Sequence, residues 1–462
     1  MEETYGIISL IPIIIILISA LITKRTLESI LFGVVAGFLI LSGGNPIVLF
    51  EEFLDSLYAV ITDEDNVWVF FVVVFFGSLI ALMERAGGVF GFSKVTEKLI
   101  NSRKSALIGT WILGIIVYVD DYLNCLAVGS AMRNITDHFK ISREMLAYII
   151  NSTGVTICAI VPFSTWGAFM GGLMVNEGIG GDGATATGIY FSVIPFVVYG
   201  WLAVIAVPFF CLRLLPVFGP MSKAEERAMT TGEVFSPVSK ANLSEDALLV
   251  EPPVPEGKRR AINFILPILV VAIITIFTED ILYGIFAALL VCLAMYLPQR
   301  LMNLFDYFSA FVKGIVDMTP IIVIIVLAYS LQEANSGLGL TDFVIDGALK
   351  ALSPALLPAT IFIVVGLLSF ASGTFWGLAM LAFPIVTPLA EAMGANPFVC
   401  AGAIISAVCF GGHICIYSDT VILTAASTQT TNVDYFKTAF PLVAVPAVIS
   451  VLVFLVIGFM MA

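Results

Sequence analysis

The stretch ALIGTWILGIIVYVDDYLNCLAVGSAM, residues 106–132, consists of two apolar arms around a polar tip at Asp120 and Asp121. Either it crosses a bilayer once, or it enters and leaves by one face as a hairpin. The basic residues decide between these, because loops on the cytoplasmic side collect Lys and Arg. A full crossing would put Arg133, Lys140 and Arg143 outside. With a hairpin, segments 23–25, 84–105, 133–145, 213–260, 298–318 and 427–437 share one face. They hold 20 of the 21 Lys and Arg residues and leave Lys350 on the other face. The loop 42–66 carries Glu51, Glu52, Asp55, Asp63, Glu64 and Asp65 without a basic residue, as an external loop can.

The rest of the chain agrees with a bilayer. Of 462 residues, 60% are apolar and 12% charged, the latter roughly half the usual share in soluble domains. That is too little polar material to coat a soluble particle. A soluble enzyme, a nucleic-acid binder and a disordered chain are excluded. Apolar runs at 7–22, 26–41, 67–83, 187–212, 261–277, 281–297, 319–333 and 438–461 predict an all-α polytopic protein of the cytoplasmic membrane. The seven cysteines lie in apolar segments without CxxC spacing and read as small buried hydrophobes. The opening MEETYG has no basic run, so the first apolar segment reads as a retained span.

Two further runs are interrupted: 146–174 near Pro162, and 398–426 near His413. A second hairpin spans 354–390, with its tip at Ser372, Gly373 and Thr374. Residues 1–213 and 261–462 therefore repeat one order of elements in opposite orientation. Each half has two spans, an interfacial segment, a third span, a hairpin, a broken helix and a closing span. Leu126-Ala127 matches Leu378-Ala379, while Ser152 and Ser164 match Ser406 and Ser418 at nearly constant separation. The expected architecture is an inverted-repeat secondary transporter with two re-entrant hairpins and two broken helices. Both termini are then external. The polar stretch 214–260, Pro-rich near its end, reads as a cytoplasmic linker and a solvated tether.

An ionisable side chain inside the bilayer is expensive and so marks function. The candidates are Asp120, Asp121, Asp419 and His413, and no Lys or Arg falls within a predicted span. Oxygen donors without a fixed positive charge suit Na⁺, and carboxylates can exchange that cation for H⁺. Asp121 and Asn124 share a helix face and are the expected Na⁺ ligands. Hairpin tips and helix breaks expose backbone carbonyls that could assist. Asn151, Ser152, Thr153, Ser164 and Thr165 line the first break, and Ser418 and Thr420 the second. Tight helix packing is the rival role for the Ser and Thr positions, a tip cap or turn facing water for Asp120 and Asp121, and a helix cap for Asp419. His413 is equally readable as a proton carrier or as a satisfied structural histidine. Trp166 and Trp376 flank the breaks, where packing is a more usual role than forming a substrate platform. No HExxH motif, hydrolase-spaced triad or selectivity-filter run is found, so neither an enzyme nor a channel is expected, and no cofactor.

The stretch VDDYLNCLAVGSAMRNITDHFKISREMLAYIINSTGVTICAIVPFSTWGA, residues 119–168, resembles the first signature block of the NhaC-type Na⁺/H⁺ antiporters of the ion transporter superfamily. FGGHICIYSDTVILTAAS, residues 410–427, resembles the second block, with Asp434, Thr438 and Pro441 fitting its tail. The resemblance implies a homodimer with hairpins and broken helices meeting at a central site, and exchange of Na⁺ for H⁺. It also implies an alternative cargo, a small carboxylate or amino acid coupled to Na⁺ or H⁺. Two positions depart from the family pattern: Gly412 and Asn151, where many relatives have acidic residues. Fewer carboxylates imply fewer exchanged charges, or room for an organic substrate.

Overall fold

The computed structural model describes residues 5–23, 26–88, 91–92, 95, 100–118, 120–162, 164–181, 185–242, 254–278, 280–340, 343 and 353–461. Among these, all regular secondary structure is helical. The first half contains α1 (Ile11–Thr23), α2 (Thr26–Leu41), α3 (Pro46–Thr62), α4 (Glu64–Arg85), α5 (Arg103–Ile116), α6 (Asp121–His138), α7 (Arg143–Ile160), α8 (Thr165–Asn176), α9 (Ala186–Val193) and α10 (Val198–Cys211). The linker contributes α11 (Gly219–Thr231) and α12 (Pro237–Asn242). The second half contains α13 (Ile262–Thr278), α14 (Ile281–Tyr296), α15 (Leu304–Gly337), α16 (Leu357–Ser372), α17 (Trp376–Met393), α18 (Pro397–Ile414), α19 (Asp419–Thr428) and α20 (Asn432–Met461). Among the described residues six helices are long and apolar enough to span a membrane, or up to eight if each sharply bent pair counts as one span. The protein is a multi-pass membrane protein.

Local chemistry sets the interruptions. Asn45 accepts a hydrogen bond from Ile47 N and Pro46 opens α3, so the chain turns 119° between α2 and α3. Asp63 then caps α4 by accepting from Asn66 N. The second half differs here. The expected interfacial segment at 298–318 is continuous with the following span, as the 34-residue α15. Gly314-Ile315-Val316 offers no capping side chain where the first half has Thr62-Asp63-Glu64, so nothing stops the helix. The helices end and restart where the breaks and tips are expected: between α7 and α8, between α18 and α19, between α5 and α6, and between α16 and α17.

The helices sort into two bundles. A flanking bundle contains α1–α4 and α13–α15, with α15 packed on α2, α3 and α4, and α14 on α4. A central bundle contains α5–α10 and α16–α20. Each bundle takes helices from both halves, and the packing survives exchange of the halves. The α2–α15 pair has its counterpart in α14–α4, α5–α7 in α16–α18, α6–α19 in α17–α8, and α10–α18 in α20–α7. Besides the Glu84–Arg133 ion pair and the Trp68–Tyr122 ring contact between α4 and α6, the bundles meet where α15 packs on α16 and α19. Leu327, Ala328 and Leu331 there share an apolar cluster with Cys415, Ile416, Tyr417 and Val433.

The linker departs from the solvated tether expected of it. Met221, Ala224, Glu225 and Ala228 line one buried face of α11, which packs on α7 and α20. Glu225 accepts from Ser142 N (3.0 Å) and Ser142 Oγ (2.9 Å) and pairs with Arg103. Arg227 bonds both oxygens of Glu144 at 3.0 and 2.9 Å. Ser236 and Ser239 donate to Asp434. Residues 219–242 therefore clamp the α6–α7 turn of one half to the α19–α20 turn of the other. Buried charged groups survive only when paired in this way. The composition of the segment hid this, because its polar face is larger than its apolar stripe.

Candidate functional site

The site is built where helices stop in mid-protein. An α-helix that ends leaves carbonyls or amides without partners, and burial makes each orphan costly. At the first tip, Asp120 is the N-cap of α6 and accepts from Leu123 N at 3.0 Å. Asp121 follows as the first helical residue and is 1% exposed. Its Oδ2 accepts from Trp166 Nε1 at 3.1 Å. At the second break, Asp419 is the first residue of α19. Its Oδ2 accepts from Tyr122 OH at 2.9 Å and from Tyr329 OH at 3.4 Å. Tyr122 is the neighbour of Asp121, so carboxylates from the two halves share one buried neighbourhood.

The exposed carbonyls expected at tips and breaks are largely occupied. Asn124 Nδ2 donates to Gly114 O (2.6 Å) and Val117 O (2.7 Å), closing the end of α5. Ser164 Oγ donates to Cys158 O (2.6 Å) and Val161 O (2.9 Å) at the end of α7. Ser418 Oγ repeats the pattern at the end of α18, donating to Gly412 O (2.6 Å) and Cys415 O (3.3 Å). Tyr417 OH serves Ala371 O, Tyr190 OH serves Ala159 O, and Asn432 Nδ2 serves Ile416 O. What remains open is side-chain oxygen. Asn124 Oδ1, Asn151 Oδ1, Ser372 Oγ and Thr420 Oγ1 are buried without a hydrogen-bond partner.

The other candidates divide by role. His413 is held at both ring nitrogens, by Ser152 Oγ at 3.0 Å and Tyr199 OH at 2.7 Å. Its carbonyl accepts from Asn151 Nδ2 (3.2 Å) and Tyr435 OH (2.9 Å). This network ties α7 and α10 to α18 and α20, with hydroxyls and no carboxylate on the ring, which is the structural alternative for the histidine. Thr153 bonds carbonyls of its own helix. A Cβ on Gly114 would lie 2.3 Å from its Oγ1, so Thr153 packs closely against Gly114. Gly373 has φ +75°, and a Cβ there would meet the Tyr417 ring at 2.6 Å; turn and close approach both require glycine. Thr374 Oγ1 accepts from Gly377 N at the start of α17. The side chain of Thr165 lies outside the described residues, though its backbone opens α8.

At Gly412 an added Cβ would sit 1.9 Å from Phe375 Cε1. The space expected there for an organic substrate is filled by that ring. Phe375 and Trp376 in turn pack against Trp166 at centroid distances of 5.5 and 5.1 Å, joining α8 to α17. The sequence reading missed Tyr122, Tyr199, Tyr329 and Tyr435. The available signal was a phenol inside an apolar run, since a buried tyrosine hydroxyl needs a partner.

The chain is 26% identical over 492 residues to a Haemophilus influenzae protein described as uncharacterized, covering 98% of this chain and 91% of that one. It is 27% identical over 206 residues to the malate-2H⁺/Na⁺-lactate antiporter of Bacillus subtilis, covering 40% of this chain and 44% of that one. The structure of Neisseria gonorrhoeae MtrF, reported as illuminating a class of antimetabolite efflux pumps, aligns over 87% of this chain and 86% of its own, at 11% identity and a TM-score of 0.34. That level of likeness carries no argument about fold or function. Residues 172–459 match the Na⁺/H⁺ antiporter family, so with its multi-pass helices and buried carboxylates the chain belongs to the Na⁺/H⁺ antiporter family, a family of transporters.

Proposed function

We propose that the protein is a secondary antiporter exchanging Na⁺ for H⁺ across the cytoplasmic membrane by alternating access. The observation that carries this is two buried carboxylates held by neutral donors, Asp121 by Trp166 and Asp419 by Tyr329 and by Tyr122, the residue after Asp121, where no Lys or Arg bonds either carboxylate among the described residues. Asn124 spends its amide nitrogen on the end of α5 and keeps Oδ1 open. Na⁺ binds Asp121 and Asn124, with Thr420 hydroxyl oxygen nearby on α19, and H⁺ competes for the same carboxylates. Exchange of packing partners between the halves, and the matching Ser164 and Ser418 bonds, support an inverted repeat with two re-entrant hairpins. In this reading the linker is cytoplasmic and both termini are external.

The second reading is a Na⁺- or H⁺-coupled exchanger of a small organic acid, favoured by the similarity to the malate/lactate antiporter. The N-termini of α6 and α19 could hold a carboxylate. The filled space at Gly412, and carboxylates to which no Lys or Arg is bonded among the described residues, count against it.

The test is transport by the purified protein in proteoliposomes under an imposed pH gradient. Added Na⁺ should dissipate the gradient, and Asp121→Asn should abolish that response while the protein stays folded. Dissipation by malate or lactate but not by Na⁺ alone would establish the second reading instead.

A further inference from the structure

We propose that Tyr329 is a positioning residue that ties the flanking bundle to the ion site, so that cargo on Asp419 governs movement between the bundles. The inference rests on the exchanger reading above. Contact between α15 and the second break is mostly apolar, through Leu327, Ala328 and Leu331 against Cys415, Ile416, Tyr417 and Val433. Apolar attraction has no direction, so such faces slide past one another at low cost. Tyr329 is different. Its hydroxyl reaches from α15 to Asp419 Oδ2, the oxygen that Tyr122 also serves. Tyr122 belongs to α6 in the central bundle and travels with Asp419, whereas Tyr329 belongs to the other bundle.

The Tyr329 bond must therefore break whenever the bundles slide. At 3.4 Å it is the longer of the two bonds on that oxygen. A cation held by Asp121 and Asn124 that also draws on the lone pairs of Asp419 displaces the Tyr329 hydroxyl, and the tie is released. With the site empty the tie holds. This makes bundle movement conditional on cargo, which strict exchange demands. The arrangement is one-sided: among the described residues α4, the counterpart of α15, makes no comparable packing on α8, the counterpart of α19.

Cys415, fully buried in the bundle contact, provides the readout. In full-length protein with the other six cysteines replaced by alanine, N-ethylmaleimide labelling of Cys415 is timed with and without Na⁺. Without Na⁺, Tyr329→Phe should label about tenfold faster than its parent, the factor expected for one lost hydrogen bond to a charged group. Na⁺ should accelerate the parent and Tyr122→Phe, and add little to Tyr329→Phe. In proteoliposomes, Tyr329→Phe should leak Na⁺ without a counter-ion while its half-saturating Na⁺ concentration falls, because Na⁺ no longer has to displace the hydroxyl. Labelling of Tyr329→Phe at the parental rate overturns the proposal, whatever the flux. A large rise in its half-saturating Na⁺ also overturns it, since Tyr329 would then be a ligand. Fast labelling of Tyr329→Phe in a protein that carries no Na⁺ overturns the exchanger reading and leaves the tie standing.

Discussion

At Gly412 the ring of Phe375 stands where any side chain would have to go. Gly412→Ala should destabilise the protein by roughly 1–3 kcal/mol, as overpacked cores do. Thermal unfolding in detergent should show a lower Tm, recovered when Phe375→Leu is added. An unchanged Tm would mean that the ring moves aside freely. The case shows what single residues disclose. Asp121 and Asp419 could be singled out from sequence because a carboxylate in an apolar run has few cheap explanations. Their partners could not. Tyr122 lies 297 residues from Asp419, and Tyr329 lies 90 away. No spacing rule connects such pairs; only the folded chain does. Asn124 was legible as a polar residue facing Asp121, but not the division of its amide into a bonded nitrogen and an open oxygen.

Among the elements, the breaks were the most legible. Pro162 removes a donor, and Ser164 and Ser418 sit where a side chain can close the end of a helix. Both serines bond carbonyls six and three residues earlier. Ser164→Ala and Ser418→Ala should each cost roughly 1–3 kcal/mol, because each leaves buried carbonyls unpaired. Tm measurements on the two variants should give similar losses, and a loss confined to one would argue against equivalent breaks. The fusion at α15 was not legible. Interfacial segment and span look alike in composition, and only the missing cap between them keeps the helix running.

Across the whole molecule, the linker joins the bundles. Residues 219–242 dock on the central bundle, and Lys258 bonds the carbonyls of Gln299 and Arg300 beyond α14. Glu225→Ala should cost roughly 3 kcal/mol, because it removes a buried carboxylate that pairs with Arg103 and accepts from both Ser142 N and Ser142 Oγ. Lys240→Ala, which breaks a half-exposed pair with Glu233, should leave Tm nearly unchanged. Equal effects in unfolding measurements would remove the clamp. The clamp was partly legible, since Met221, Ala224, Glu225 and Ala228 follow helical spacing in the sequence, although charge and proline dominate the segment. The sealed helix ends carry a different consequence. Because Asn124, Ser164, Ser418 and Tyr417 keep the backbone satisfied whether or not anything is bound, a vacant carrier gives up no main-chain bonding. The main chain itself thus sets no toll on an unladen return trip, and the rule against one falls to side chains: the Tyr329 hydroxyl on Asp419 and bare negative charge shut away from water.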